Sequence, residues 1–258
     1  MRKDAAVYLM YHELEVNGRP VSQTEQGYIR YVVRGSDFGE QIKWLKSSGM
    51  QGISVTAALG KKPPQAIVIT FDDGCESDLT VAAPILREAN FGGTFYITVG
   101  FLGRAGHLFP CQVRELSDAG FEIGSHSMTH PYLDSLQRQD LLREIGESKN
   151  QLEQMTGKAV HHFSCPGGRW SRDVSTAARE AGYKTVATSH IAANDSRTDP
   201  FCLSRIVVMR DLNLAGFEDI CRGRRLWRSQ LGGFVRTKSR NLLGNTLYDR
   251  VRSAILER

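Results

Sequence analysis

The stretch "QAIVITFDDGCESD", residues 65–78, decides how the chain reads. Its first seven residues form a continuous apolar run, the pattern of a parallel strand buried on both faces. The run ends in two adjacent carboxylates, Asp72 and Asp73, followed by Gly74, so two like charges sit where a buried strand gives way to a turn. Taken alone, such a pair reads as a polar loop whose aspartate caps the next helix.

Runs of the same kind recur along the chain: "AVYLMYH" (6–12), "GISV" (52–55), "GGTFYITV" (92–99), "FEIGSHS" (121–127), "VHHFSC" (160–165), "KTVATS" (184–189) and "LSRIVV" (203–208). Helical patterns separate them. "SDFGEQIKWLKSSG" (36–49) opens with Ser36 as N-cap, places Phe38, Ile42 and Leu45 on one face and stops at Gly49. "DSLQRQDLLREIGESKNQLEQMTG" (134–157) carries Leu141, Ile145 and Leu152 and also ends at a glycine. Seven or eight such units predict an α/β fold, a distorted (β/α) barrel of mostly parallel strands. The polar motifs then fall at the C-terminal ends of strands, the face on which barrels build active sites.

A second motif changes the meaning of the carboxylate pair. In "GSHSMTHPYL" (124–133), His126 and His130 are four residues apart. A helical turn after the strand would put both imidazoles on one face, with Cβ atoms roughly 5–6 Å apart. Two imidazoles and one carboxylate hold a divalent cation and leave positions open, the arrangement of a hydrolytic metal site. A cation also relieves the repulsion between Asp72 and Asp73: one binds the ion, and the other stays off it to accept a proton from metal-bound water.

These residues resemble the polysaccharide deacetylases, carbohydrate esterase family four. The resemblance runs from "YLMYHEL" (8–14) through "TFDDG" (70–74) and "GSHSMTHPYL" to "FSCPGG" (163–168) and "LSRI" (203–206). It implies that Asp72 is the general base and that Asp73, His126 and His130 are the metal ligands. It further implies a metal-dependent amide hydrolase that removes N-acetyl groups from the amino sugars of a polysaccharide or its lipid-linked precursor. Zinc suits the ligand set best, with cobalt, nickel, manganese and iron as alternatives.

The pattern departs from the family at two places. Many members carry an arginine before the proline of the third motif, where Ser164 and Cys165 precede Pro166 here; Arg205 and Arg169 are the candidates to take over its pairing with the catalytic aspartate. Pro166, Trp170 and Arg205 are assigned to the substrate side of the site. The late Leu-x-His motif that supplies the general acid is missing, since no histidine follows His190. His12 is preferred over His190 for that role, because the first strand of a nearly closed barrel lies beside the last. Two rival activities remain: deformylation or deacylation of a lipid-linked amino sugar, and carbohydrate binding without turnover.

Composition sets the outer limits. Five widely spaced cysteines without a C-x-x-C pair read as free thiols. No secretory pattern opens the chain and no uncharged run is long enough to span a membrane, so the expected location is cytoplasmic. Residues 221–258 hold ten Lys or Arg and two Asp or Glu, against 23 and 26 in the remainder. The chain therefore divides into a catalytic domain (1–220) and a basic extension (221–258). In the extension Leu243, Leu247, Val251 and Ile255 form a helical stripe. It is expected to pack on the barrel or to make a peripheral contact with an anionic membrane; nothing in it matches a nucleic-acid-binding motif.

Overall fold

A computed structural model describes residues 4–60 and 65–224. Its strands are β1 (Val7–Tyr11), β2 (Leu14–Glu15), β3 (Val33–Arg34), β4 (Gln51–Ile53), β5 (Ala66–Phe71), β6 (Thr94–Ile97), β7 (Glu122–Ser125), β8 (His162–Ser164), β9 (Thr185–Ala187) and β10 (Ile206–Val207). Apart from the small β2–β3 pair, each lies within one of the apolar runs or, for β4, begins one residue before it. The helices are α1 (Gln26–Ile29), α2 (Gly35–Ser47), α3 (Val55–Leu59), α4 (Ala83–Ala89), α5 (Pro110–Asp118), α6 (Arg138–Thr156), α7 (Arg172–Glu180) and α8 (Leu214–Cys221).

The main sheet has the order β10-β1-β5-β6-β7-β8-β9, with β4 paired to the first half of β5, and every ladder in it is parallel. Its two ends curl until they meet. Leu203, just ahead of β10, donates its N–H to Val186 of β9 at 2.9 Å and accepts from Thr188 N–H at 2.8 Å. The barrel is distorted because this closure rests on one short bridge and because β4 and β6 share one edge of β5.

Alternation along the strands explains both the core and the site, because successive side chains point to opposite faces. Val7, Leu9 and Tyr11 of β1, Ile67, Ile69 and Phe71 of β5, and Phe95 and Ile97 of β6 belong to the larger core cluster, with Phe38, Ile42 and Leu45 of α2. Tyr11 and Phe71 stack at 5.2 Å, and Phe71 and Phe95 at 5.0 Å, across neighbouring strands in register. The opposite parity, Ala6, Tyr8, Ala66, Val68, Tyr96 and Ala187, fills the lumen with Leu203. That is why the strands read as unbroken apolar runs. Gly124 of β7 has lumen parity, and a Cβ there would lie 2.4 Å from the Tyr96 ring, so the lumen holds Tyr96 only beside a glycine.

Two local expectations are corrected. Helix α2 begins at Gly35 with Arg34 as its N-cap and no side-chain cap, because β3 runs directly into the helix; Ser36 lies inside the first turn. The segment carrying His126 and His130 is not helical: Ser127 and His130 take left-handed φ values of 70° and 65° within a loop. Cys221 is buried at the end of α8. The proposed stripe and basic extension from residue 225 onward lie outside the described residues. Among the described residues, no helix is long and apolar enough to cross a membrane.

Candidate metal centre and its buried carboxylate

Continuing the lumen parity one step beyond the last filled layer brings the site together. Thr70, Tyr96, Gly124 and His162 are followed two residues later by Asp72, Thr98, His126 and Ser164, all buried at the C-terminal mouth. His12 continues β1 in the same parity, and Asp72 N–H donates to the neighbouring Tyr11 carbonyl at 3.0 Å.

Asp73 departs from the strand at a strained φ of 80°, and Gly74, which takes its own φ of 80° freely, completes the turn that directs the second carboxylate away from the first. Its Oδ1 lies 3.5 Å from His126 Nε2 and 3.4 Å from His130 Nε2. His126 Nδ1 donates to the Ser164 carbonyl at 2.8 Å, which leaves Nε2 with its lone pair facing Asp73. Asp73 Oδ1 is buried with no hydrogen-bond partner among the described residues. A buried anionic oxygen with no partner among the described residues, flanked by two ring nitrogens, is costly unless a cation sits among them. Asp73, His126 and His130 therefore fit a divalent metal, and their donor atoms lie within 4.8 Å of one another.

Glu144 of α6, buried beneath the loop, holds its shape. It accepts the N–H groups of Met128 and Thr129, both at 2.9 Å, and the Thr129 hydroxyl at 2.7 Å, while Ser127 Oγ accepts His130 N–H at 3.0 Å. Nothing in the spacing of the sequence singles out Glu144, which reads there as one more charge on an amphipathic helix.

Asp72 has a different environment. Arg205 rises from the lumen above Tyr96 and meets it with Nη1 to Oδ1 and Nη2 to Oδ2, both at 2.7 Å. The remaining guanidinium contacts go to Thr70 Oγ1, Ser164 Oγ and the Thr188 carbonyl, at 3.1, 2.7 and 3.1 Å. Ser164 Oγ in turn approaches Asp72 at 3.2 Å. Burial opposes ionisation of Asp72, but the charge and hydrogen bonds of Arg205 outweigh it, aided by His126 and His12, and hold the carboxyl well below the usual range. For Asp73 burial wins: it pushes the carboxyl up to about 6, only partly offset by His12 and reinforced by the Asp72 charge. Burial likewise lowers His126 to about 3 and lowers His130, keeping both imidazoles neutral. The two adjacent aspartates thus differ in character: Asp72 is held firmly as an anion, and Asp73 takes up a proton far more readily.

The other sequence candidates fall as follows. Arg205, with all five N–H donors engaged and 1% exposed, faces Asp72 and presents nothing to a ligand, so its assignment to substrate contact is corrected to support of the carboxylate. Pro166 is also buried, and the exposed residue of that turn is Gly167. Arg169 lies over the Tyr132 ring at 3.5 Å. Trp170 is half-buried at the rim, outside the lumen, with its indole N–H on the Phe201 carbonyl at 2.7 Å. His12 packs on Tyr31 at 5.1 Å between ring centres, and its Nδ1 is buried without a partner among the described residues. His190 is exposed, with Nδ1 3.5 Å from Cys202 Sγ.

Comparison with known proteins bears on the family and the fold. The family model for polysaccharide deacetylases matches residues 59–186, a range that includes Asp72, Asp73, His126 and His130 but neither His12 nor Arg205. The Bacillus subtilis protein YxkH is 27% identical over 187 residues, covering 70% of this chain and 67% of its own. The chitooligosaccharide deacetylase of Azorhizobium caulinodans is 32% identical over 126 residues, covering 48% and 58%. This chain thus spans about two-thirds or less of the length of these curated relatives. The solved structure of the Streptococcus pyogenes deacetylase PplD in complex with acetate superposes with a TM-score of 0.74 at 22% identity, covering 84% of this chain and 98% of the other, and shows the same fold. With the motifs, the barrel and the family match in agreement, the chain belongs to the polysaccharide deacetylase family.

Proposed function

We propose that the protein is a metal-dependent hydrolase that removes N-acetyl groups from the amino sugars of a glycan or its precursor, releasing acetate and a free amine. The observation that carries this reading is the placement of Asp72: a carboxylate held ionised by Arg205, 3.9 Å from His126 Nε2, yet outside the cluster of Asp73, His126 and His130. A protein that only bound a metal or a sugar would have no use for such a group.

When bound by Asp73, His126 and His130, a divalent metal supplies Lewis acidity, which acidifies water and polarises an amide carbonyl. Asp72 accepts the proton of the attacking water, and Arg205 keeps it oriented and ionised for that task. Ser164 couples the two halves of the site, because its hydroxyl contacts Asp72 and its carbonyl fixes the tautomer of His126. The departing amine needs a proton, and His12 is assigned to give it: it continues β1 toward the lumen mouth, and its Nδ1 has no partner among the described residues. The name of the Azorhizobium relative points to an N-acetylated oligosaccharide as the substrate class. Zinc is the metal that two imidazoles and one carboxylate favour. The basic extension is assigned to packing on the barrel or to an anionic membrane surface, which removing residues 225–258 and measuring vesicle binding would separate.

The test is acetate release from N-acetylglucosamine oligomers by protein supplied with zinc or cobalt, beside an Asp72→Asn variant. Release that needs the metal and disappears in the variant is the expected outcome; equal release by the variant would sink the assignment.

A further inference from the structure

A cavity of about 1000 Å³ opens beyond the end of β10. It lies between α1, the first half of α2 and residues 209–214, and no residue assigned to the site lines it. Three contacts join its walls to one another and to the chain around His12. Gln41, in its wall, accepts the hydroxyl of Tyr11, the residue before His12, at 2.8 Å. Arg30, also in its wall, is followed by Tyr31, whose ring packs on His12. Arg210 N–H bonds the Arg30 carbonyl at 2.9 Å and so fixes one wall to the other.

The lining has a definite chemistry. Arg210 is held by Glu15 at 2.8 Å and by the Val32 carbonyl at 3.1 Å, and Arg34 is paired with Asp37 at 3.1 Å. Two of the three arginines are therefore already neutralised. Arg30 keeps a buried Nε with no acceptor among the described residues, and Glu40 and Asp211 add exposed carboxylates. The apolar part is aliphatic: Ile29, Met209, Leu212 and Leu214. An anion gains little where acids match the arginines in number, and a purely apolar ligand would strand the polar groups. A neutral polyhydroxylated ligand satisfies both, since hydroxyls donate to carboxylates, accept from a guanidinium, and sit on a ring whose C–H faces pack against aliphatic side chains.

We infer that this cavity is a second saccharide-binding site, taking glycan units remote from the reacting one and making turnover depend on chain length. The inference rests on the deacetylase function proposed above. A buried Arg30 Nε that gains a hydroxyl acceptor supplies the specific contact.

Two measurements on the full chain test it. The first is kcat/KM for N-acetylglucosamine oligomers from dimer to hexamer, in the parent, in Arg30→Ala and in the surface double variant Glu40→Ala with Asp211→Ala, each checked for an unchanged melting transition. The parent is expected to gain rate with length and both variants to lose that gain. A parent with no length dependence, or variants that retain it, would overturn the inference. The second is calorimetric titration of the Asp72→Asn protein with the hexamer, with and without Arg30→Ala, where the added change is expected to weaken binding about tenfold, the value of one good polar contact. Equal affinity would also overturn it. Because the titration needs no turnover, it separates failure of the cavity from failure of the deacetylase assignment.

Discussion

Arg205 and Asp72, 133 residues apart in sequence, meet through two parallel contacts of 2.7 Å in a site where neither side chain is more than 3% exposed. A bidentate pair of this kind fixes both the charge and the orientation of the carboxylate. Removing one partner leaves the other as an uncompensated buried charge. Arg205→Ala is therefore expected to lower stability by about 3–5 kcal/mol, and Arg205→Lys, which supplies charge without the planar fork, by less. Denaturant unfolding of the two variants beside the parent checks this; an alanine variant as stable as the parent would contradict it.

The same pair sets the acid limb of stability. Asp72 has a depressed folded-state pKa, so its contribution is present above the unfolded value of about 3.9 and is lost as pH falls below it. Asp73 is the opposite case. Raised to about 6 in the folded, metal-free protein, it favours folding below about 3.9, and that contribution is lost as pH rises through about 6. Chelator-treated protein should lose stability from this group between those values, and Asp73→Asn should flatten the slope there. An unchanged slope in Asp73→Asn would show that Asp73 does not titrate in that window.

Metal binding should be linked to the same proton. An ion on Asp73, His126 and His130 favours the ionised carboxylate, so binding near pH 5 releases a proton that binding near pH 8 does not. Titration calorimetry with zinc in buffers of different ionisation enthalpy reads this directly, and equal proton release at the two pH values would count against it.

Glu144 makes no contact with the proposed ion but clasps the loop that carries two of its ligands. Glu144→Ala should weaken metal affinity about 10–100-fold, the usual effect of losing an outer partner of a metal ligand. Affinity within error of the parent, with the fold intact, would reduce Glu144 to a surface helix residue that happens to be covered.

The two histidine candidates for the general acid separate by mutation. His12→Ala is expected to cut kcat by about 10²–10⁴-fold, the range for loss of a general acid or base, and His190→Ala to leave it within assay error. The reverse ranking would move the acid to the β9 side of the mouth.

Much of this was legible from residue order. The apolar runs located all eight strands of the main sheet because burial on both faces leaves no room for polar alternation, and the positions of "TFDDG" and "GSHSMTHPYL" at strand ends marked the active face. The spacing of His126 and His130 points to a candidate ligand pair, and two left-handed residues with the Glu144 clasp, not a helical turn, bring the imidazoles together. Local propensity cannot report this, since the interactions that stabilise the strained loop come from α6, a separate element.

The sequence by itself located the strands and named Asp73, His126 and His130 as candidate metal ligands, because these follow from patterns within a few residues. Only the tertiary structure decided which arginine answers Asp72, which histidine stands beside it, and where the walls of Arg30, Gln41 and Arg210 enclose a cavity. Those facts depend on how the sheet closes. Until β10 returns to β1 and Leu203 bridges β9, Arg205 has no fixed relation to a carboxylate 133 positions away.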